Sequence, residues 1–207
     1  MSGNNNIEKS GTRPDLHPDS IAEGERIFLR PMTENDCGLI VEWRNREELR
    51  RWYVYKEPFT QEGQLKYYRE QVLTGKVFHY MVCLKQEPET AIGCAVFTHY
   101  EPENNTIEYG NFIGADGMRG MGLGEDITRT SLSYAFRHFG VTRVTGRIIS
   151  ENIVSRTSAS RGGLCHEQTI RGVECSDGTV VSMELYAARP DTVARTRKQP
   201  DVPLFRI

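Results

Sequence analysis

Apolar residues along this chain follow two rhythms: a period of two that marks half-buried strands, and a three-and-four spacing that marks helices. The first rhythm, or a short apolar run of strand type, appears at Ile27 to Arg30, closed by Pro31, and again at Val77 to Leu84, Ala91 to Tyr100, Ile107 to Ile113, Val144 to Ile149 and Val180 to Ala187. Turn residues separate these runs at Lys85 to Thr90, Glu101 to Asn105 and Cys175 to Gly178, where Asp177-Gly178 is a strong hairpin signal before the last strand. A partner strand for that hairpin is expected at Gln168 to Arg171. The second rhythm appears at Leu39, Ile40, Trp43 and Leu49, behind the capping pattern Thr33-x-x-Asp36. Further helices are expected to open at Thr60, after Gly124 as a long amphipathic stretch, and at Asn152. The elements therefore run from an early strand and two helices into an antiparallel meander, then strand, helix, strand, helix and a closing hairpin.

The ends differ from this middle. Residues 1–24 are polar, rich in Asn, Pro and Asp, and aperiodic, which predicts a polar N-terminal tail. Residues 189–207 turn basic, with Arg195, Arg197 and Lys198, and predict an extended C-terminal tail. One domain is expected at 25–188, a fit to a chain of 207 residues.

Charge and cysteine content narrow the function classes. Lys plus Arg number 26 against 28 Asp plus Glu, a net charge of −2, which argues against a nucleic-acid binder that relies on phosphate contacts. No apolar run approaches the roughly 20 residues that span a bilayer, and no signal-peptide core stands at the N-terminus. The five cysteines, Cys37, Cys83, Cys94, Cys165 and Cys175, are scattered without a Cys-x-x-Cys pair, so neither a disulfide framework nor a metal site is expected. A soluble cytoplasmic protein with reduced thiols fits these features.

The candidate chemistry lies between Glu108 and Leu164. A glycine loop, Arg119-Gly120-Met121-Gly122-Leu123-Gly124, joins a strand to a helix start, so several backbone N–H groups and the helix dipole face one concavity. Such a loop suits phosphates. It is not a Walker loop, because Glu125 follows Gly124 where Lys-Ser/Thr would stand, and it lacks the third glycine of the dinucleotide fingerprint.

The surviving pattern, Arg-x-x-Gly-x-Gly at Arg119, Gly122 and Gly124, resembles the GNAT acyl-CoA N-acyltransferases. A second segment strengthens the likeness: Asn152-x-x-Ser155 with Arg161-Gly-Gly163-Leu164 is similar to that family's Asn-x-x-Ser/Ala … Lys-x-Gly-Phe. The resemblance runs from about Arg26 to Ala188 and implies a layered α/β fold, a mixed and mostly antiparallel central sheet flanked by helices. It implies acetyl-CoA as cofactor, with Phe112, Ile113, Arg119, Gly120, Met121, Gly122, Leu123, Gly124, Glu125, Asn152 and Ser155 as its contacts. It also implies that the strand before the loop splays from its neighbour to admit the pantetheine arm.

Acetyl transfer to an amine calls for a base, because an alkyl amine is mostly protonated at neutral pH, and is helped by a proton donor to the departing sulfur. Glu108 stands where many family members carry a carboxylate; its plain alternative is a solvated strand-end glutamate. His99 and Glu101 form the substitute, with His79 and Glu184 further off. The family's usual phenol position is Ala159, so Ser155 becomes the implied acid, with Tyr186 as another phenol. Trp43-Arg44-Asn45 resembles the branch that acetylates ribosomal-protein N-termini and nucleotide-linked amino sugars, which implies substrate contacts at Arg44 and Asn45, or a packed tryptophan with solvated arginines. Tyr53, His99 and Tyr186 complete the expected acceptor contacts, although Tyr53 equally suits packing. The expected acceptor is a small primary amine, with a protein N-terminus or an aminoglycoside or polyamine as alternatives, and a non-catalytic acyl-CoA binder as the alternative of another class. Edge strands of this fold often pair, so a homodimer is an expectation as well.

Overall fold

The computed structural model describes residues 21–196. Eight strands form one sheet in the order β1-β2-β3-β4-β5-β6-β8-β7. They are β1 (Ala22–Glu23), β2 (Ile27–Pro31), β3 (Phe78–Leu84), β4 (Ala91–Glu101), β5 (Thr106–Ile113), β6 (Arg143–Ile149), β7 (Cys165–Glu174) and β8 (Val180–Ala188). Neighbours are antiparallel except β5 and β6, which run parallel. The sheet is thus mixed and mostly antiparallel, as expected.

Strand alternation sends the two sets of side chains to opposite layers. On one face Leu29, Val82, Ala95, Phe97, Ile107, Tyr109 and Val144 pack against α4 (Leu123–His138), α5 (Ile153–Gly162) and α6 (Pro190–Thr196). On the other face Phe28, Met81, Cys83 and Cys94 meet Ile40, Trp43 and Leu49 of α1 (Cys37–Asn45) and α2 (Glu47–Arg50), with Leu65 of α3 (Gln61–Tyr67) against them. Cys83 and Cys94 are fully buried core thiols. Asp36 accepts from Thr33 N and Oγ1 and is bridged by Arg30 at 2.7 Å, which anchors the start of α1 to β2.

Several boundaries differ from the sequence reading. The expected tail of 1–24 ends early: Ala22 and Glu23 already form a strand, in register with Leu29 and Phe28. The segment after 188 begins as a helix rather than an extended tail, because Pro190 starts α6 and Val193 packs on Gly163, within 3.1 Å of where a Cβ there would stand. The stretch Arg195 is part of that helix, whereas Arg197 and Lys198 lie outside the described residues. The first long helix breaks at Arg46, which turns extended (φ −64°, ψ 131°), so Trp43 and Leu49 sit on separate helices. β7 is longer than Gln168 to Arg171 because register shifts at His166/Gln168 and Ile170/Val173 let it follow β8 along most of its length.

Candidate active site

β5 and β6 are in register at Thr106–Arg143, Ile107–Val144 and Glu108–Thr145, and there their pairing stops. β5 continues to Ile113 against β4, and β6 continues to Ile149 against β8. From Tyr109 and Gly146 onward the facing edges diverge, leaving backbone donors and acceptors without a strand between them. Gly146 stands at the apex, where an added Cβ would come within 3.1 Å of the Tyr109 carbonyl oxygen. The result is a wedge-shaped slot in the middle of the sheet.

The glycine loop lies at the wide end of this slot. Gly117, Gly120 and Gly122 hold left-handed φ values of 73°, 80° and 73°, a conformation costly for residues with a Cβ, and Gly122 is the N-cap of α4. Gly124 already lies in α4, and a Cβ there would be 2.8 Å from Ser158 Oγ. Its missing side chain therefore serves close packing of α4 on α5. Leu123 is buried, Met121 is exposed, and the side chain of Glu125 pairs with Arg129, so these residues offer a phosphate their backbone rather than their side chains. Arg119 donates to Ile113 O at 3.2 Å and reaches Glu48 at 3.4 Å, which folds the loop back on the strand end. Arg26, unnoticed in the sequence, donates to Met121 O at 2.9 Å from the β1–β2 turn. Asp126 in the first turn of α4 holds that turn in place by accepting the backbone N–H groups of Glu25 and Arg26.

At the start of α5, Asn152 Oδ1 accepts from Ser155 N at 3.1 Å, an ordinary helix cap. Ser155 is half-buried, and Ala159 is buried. Tyr186 does not line the acceptor side. Its register partner is Gly146, and its neighbour Leu185 pairs with Arg147, so alternation puts Tyr186 on the α5 face, opposite Arg147 and Glu108. There its hydroxyl accepts from Arg156 Nε at 3.3 Å. Glu184 shares that face and accepts from His166 at 2.6 Å and Thr169 at 2.7 Å, which removes it as a candidate base.

On the α1 face the slot adjoins an open cleft. Its floor is Gly110, exposed and with nothing within 4 Å of where a Cβ would point. Glu108 lies two residues before it on the same face, and Phe112 two residues after, edge-on to Trp43 and Tyr53 at 6.2 and 6.3 Å. Glu108 receives Arg147 through two hydrogen bonds of 3.0 and 2.9 Å, and His99 Nδ1 lies 3.3 Å from its Oε2. His99 gets there through the β4 irregularity between Thr98 and Glu101, with a left-handed φ of 49°. Across the floor, Arg44 stacks over Phe59 at 3.8 Å and Tyr53 at 4.9 Å. Asn45 is not an acceptor contact: its side chain donates to Phe59 O at 2.8 Å and accepts from Phe59 N at 2.7 Å, and so clamps the loop that carries those rings. That loop reaches the closing hairpin, where Ser176 N donates to Val54 O at 3.0 Å and Ser176 Oγ accepts from Lys56 N at 2.8 Å. Among the described residues, no group of His, Cys, Asp and Glu could hold a metal ion, and no helix is long and apolar enough to cross a membrane.

A family described as the acetyltransferase (GNAT) domain matches residues 26–164. The chain belongs to the GNAT acetyltransferase family. No curated protein sequence matches it. Its GNAT fold is similar to that of spermidine N-acetyltransferase from Vibrio cholerae in complex with CoA and spermine, with a TM-score of 0.73 at 15% identity over 82% of this chain and 98% of that one. The ribosomal-protein α-N-acetyltransferase RimL, in complex with coenzyme A, gives 0.69 at 19% identity over 81% and 96%. AAC(6')-Ib with ribostamycin and coenzyme A gives 0.67 at 22% identity over 85% and 100%. These likenesses concern the fold.

The features of this GNAT domain fit coenzyme A on their own terms. A slot with unpaired backbone edges suits an amide-bearing arm, and a left-handed glycine turn at a helix start suits a pyrophosphate. Phe112, Ile113 and the backbone from Gly120 to Glu125 border these features directly, with Arg119 and Arg26 bracing the loop.

Proposed function

We propose that the protein transfers the acetyl group of acetyl-CoA directly to the primary amine of a small acceptor, without a covalent enzyme intermediate. The observation that carries this reading is the meeting of the slot with the Gly110 floor beside Glu108. A thioester in the slot and an amine over Gly110 approach one another where a carboxylate stands ready. The thioester supplies the activated acyl group. Glu108, together with His99, takes the proton that the amine must lose before or during attack. Arg147 holds the carboxylate in one orientation while leaving it partly open to solvent. On the sulfur side, Ser155 in the first turn of α5 is the donor that the family pattern favours, and Tyr186 is a phenol whose oxygen already accepts from Arg156.

The acceptor class favoured here is an amino sugar linked to a nucleotide. Trp43-Arg44-Asn45 supports it through the likeness of that segment to enzymes of this type, with Arg44 alone of the two polar residues remaining free of a structural clamp. Thiol release from acetyl-CoA against nucleotide-linked amino sugars, N-terminal peptides, polyamines and aminoglycosides tests the reading. Release with the first class alone is the expected result, and release only with a polyamine or aminoglycoside would replace that acceptor.

A further inference from the structure

Glu108 has two cationic neighbours, and they come from opposite sides of its strand. His99 belongs to β4, on the side of β5 away from the slot. Arg147 belongs to β6, across the slot. The last paired residues of the two parting strands are Glu108 and Thr145, and Arg147 lies two positions beyond Thr145 on the same face. To give Nε and Nη2 to Glu108 at 3.0 and 2.9 Å, its side chain must cross the narrow end of the slot on the α1 face. The ion pair is therefore a bar over the point where the strands part.

That bar is only partly used. A guanidinium carries its N–H groups in one plane, and a bidentate carboxylate takes one from each of two nitrogens. Glu108 takes them from Nε and Nη2, while Nη1 has no hydrogen-bond partner among the described residues. The Arg147 side chain is 45% exposed, so the remaining donors face open space and not a protein acceptor. A fixed positive charge with free N–H groups thus stands at the edge of the slot. A thioester that enters from the glycine loop at the wide end brings its acyl group to this narrow end. An amine over Gly110 can meet it only on the α1 face beside Glu108, which puts the acyl oxygen within reach of the residue that touches Glu108.

We infer that Arg147 is a catalytic residue, whose free guanidinium edge donates to the carbonyl oxygen of the thioester and holds the charge that develops there. This deepens the acetyl-transfer reading and rests on it. Attack of the amine nitrogen forms the C–N bond and moves the carbonyl π pair onto oxygen. That pair returns as the C–S bond breaks, and the bonding pair leaves with sulfur. The proton lost by nitrogen passes to Glu108 and the thiolate takes up another, so the sum is one amide and one thiol. Between the two steps the oxygen carries negative charge, and a cationic donor already fixed in place stabilises it without reorganising. The bidentate bond to Glu108 sets the guanidinium plane, so one residue ties the base to the group under attack.

The test is isotope-edited infrared spectroscopy of acetyl-CoA labelled at the carbonyl carbon, bound to the full chain with no acceptor present. Donation from Arg147 weakens the C=O bond, so the bound stretch should lie at lower frequency than that of free acetyl-CoA in water. The shift should vanish in Arg147→Gln and shrink in Arg147→Lys, which keeps a charge on the strand and serves alone should the glutamine variant fail to fold. In thiol release with the amine that is turned over, Arg147→Gln should lower kcat by about 10²–10³-fold with little change in acetyl-CoA affinity. An Arg147 that only orients Glu108 would lower kcat and leave the carbonyl stretch at its wild-type position. That pattern, or a bound stretch equal to the free one, overturns the inference and leaves the acetyl-transfer reading standing. Failure of acetyl-CoA to bind, or silence with every amine, removes that reading and the inference together.

Discussion

Two glutamates on nearby strands of one sheet have been given opposite fates. Glu184, on β8, is nearly buried and collects hydrogen bonds from Thr169 and His166, with Ser150 and Arg156 close by; the Thr169 bond leads in holding its carboxyl down to about 2. Glu108, on β5, faces an open floor, is bound by exposed Arg147 and touches exposed His99. A carboxylate ringed by fixed donors stays ionised and takes no part in proton exchange. One whose own side chain stays partly open to solvent, 24% for Glu108 against 8% for Glu184, can exchange a proton with a ligand or with water. The difference is set by neighbours and not by residue type.

The sharpest way to break this contrast is to remove each charge in turn. Glu108→Gln should lower kcat by about 10²–10⁴-fold with little change in melting temperature, as expected for loss of a general base. Equal losses in Glu184→Gln, measured by thiol release, would erase the distinction. Gly110→Val comes next. A β-branched residue suits the strand and should preserve or slightly raise stability, by up to about 1 kcal/mol, yet its side chain would occupy the cleft and raise the acceptor KM by roughly tenfold or more. A normal KM would mean that the acceptor lies elsewhere.

His99→Gly probes the bulge. Glycine accepts the left-handed backbone at φ 49°, so the fold should hold while kcat falls about tenfold through loss of the imidazole beside Glu108. The smallest effect concerns acid stability. Because the Glu184 carboxyl is held below its ordinary value of 4.5, its stabilising contribution is complete above pH 4.5 and disappears as pH falls toward about 2. Melting temperatures recorded across that window should fall less steeply in Glu184→Gln than in the wild type.

The sequence is legible where the signal is local. Alternation marks the strands, Asp177-Gly178 forms the expected turn with Thr179 on the aspartate, and Thr60 caps α3 through Gly63 N. The glycine loop and the splayed strand were reachable through the family pattern. What stayed hidden depends on residues far apart in sequence. Nothing near Asn45 indicates that its amide will clamp Phe59, and nothing near His99 announces a bulge whose purpose appears only beside β5. Arg26 carries no motif at all, since its meaning comes from a helix a hundred residues later. Val193 looked like part of a polar tail because the groove that receives it is made by Gly163.

Gly114, the residue that follows β5, has the Trp43 indole where a side chain would be: a Cβ there would stand 2.2 Å from the ring. The carbonyl oxygen of Gly114 accepts from Arg46 at 2.8 Å, and Arg46 also reaches Asp116. The end of α1 is thereby fastened to the segment that leads from β5 into the glycine loop. On the proposed reading, cofactor and acceptor share that one mechanical linkage, so whatever factor coenzyme A adds to acceptor affinity, the acceptor must return to coenzyme A.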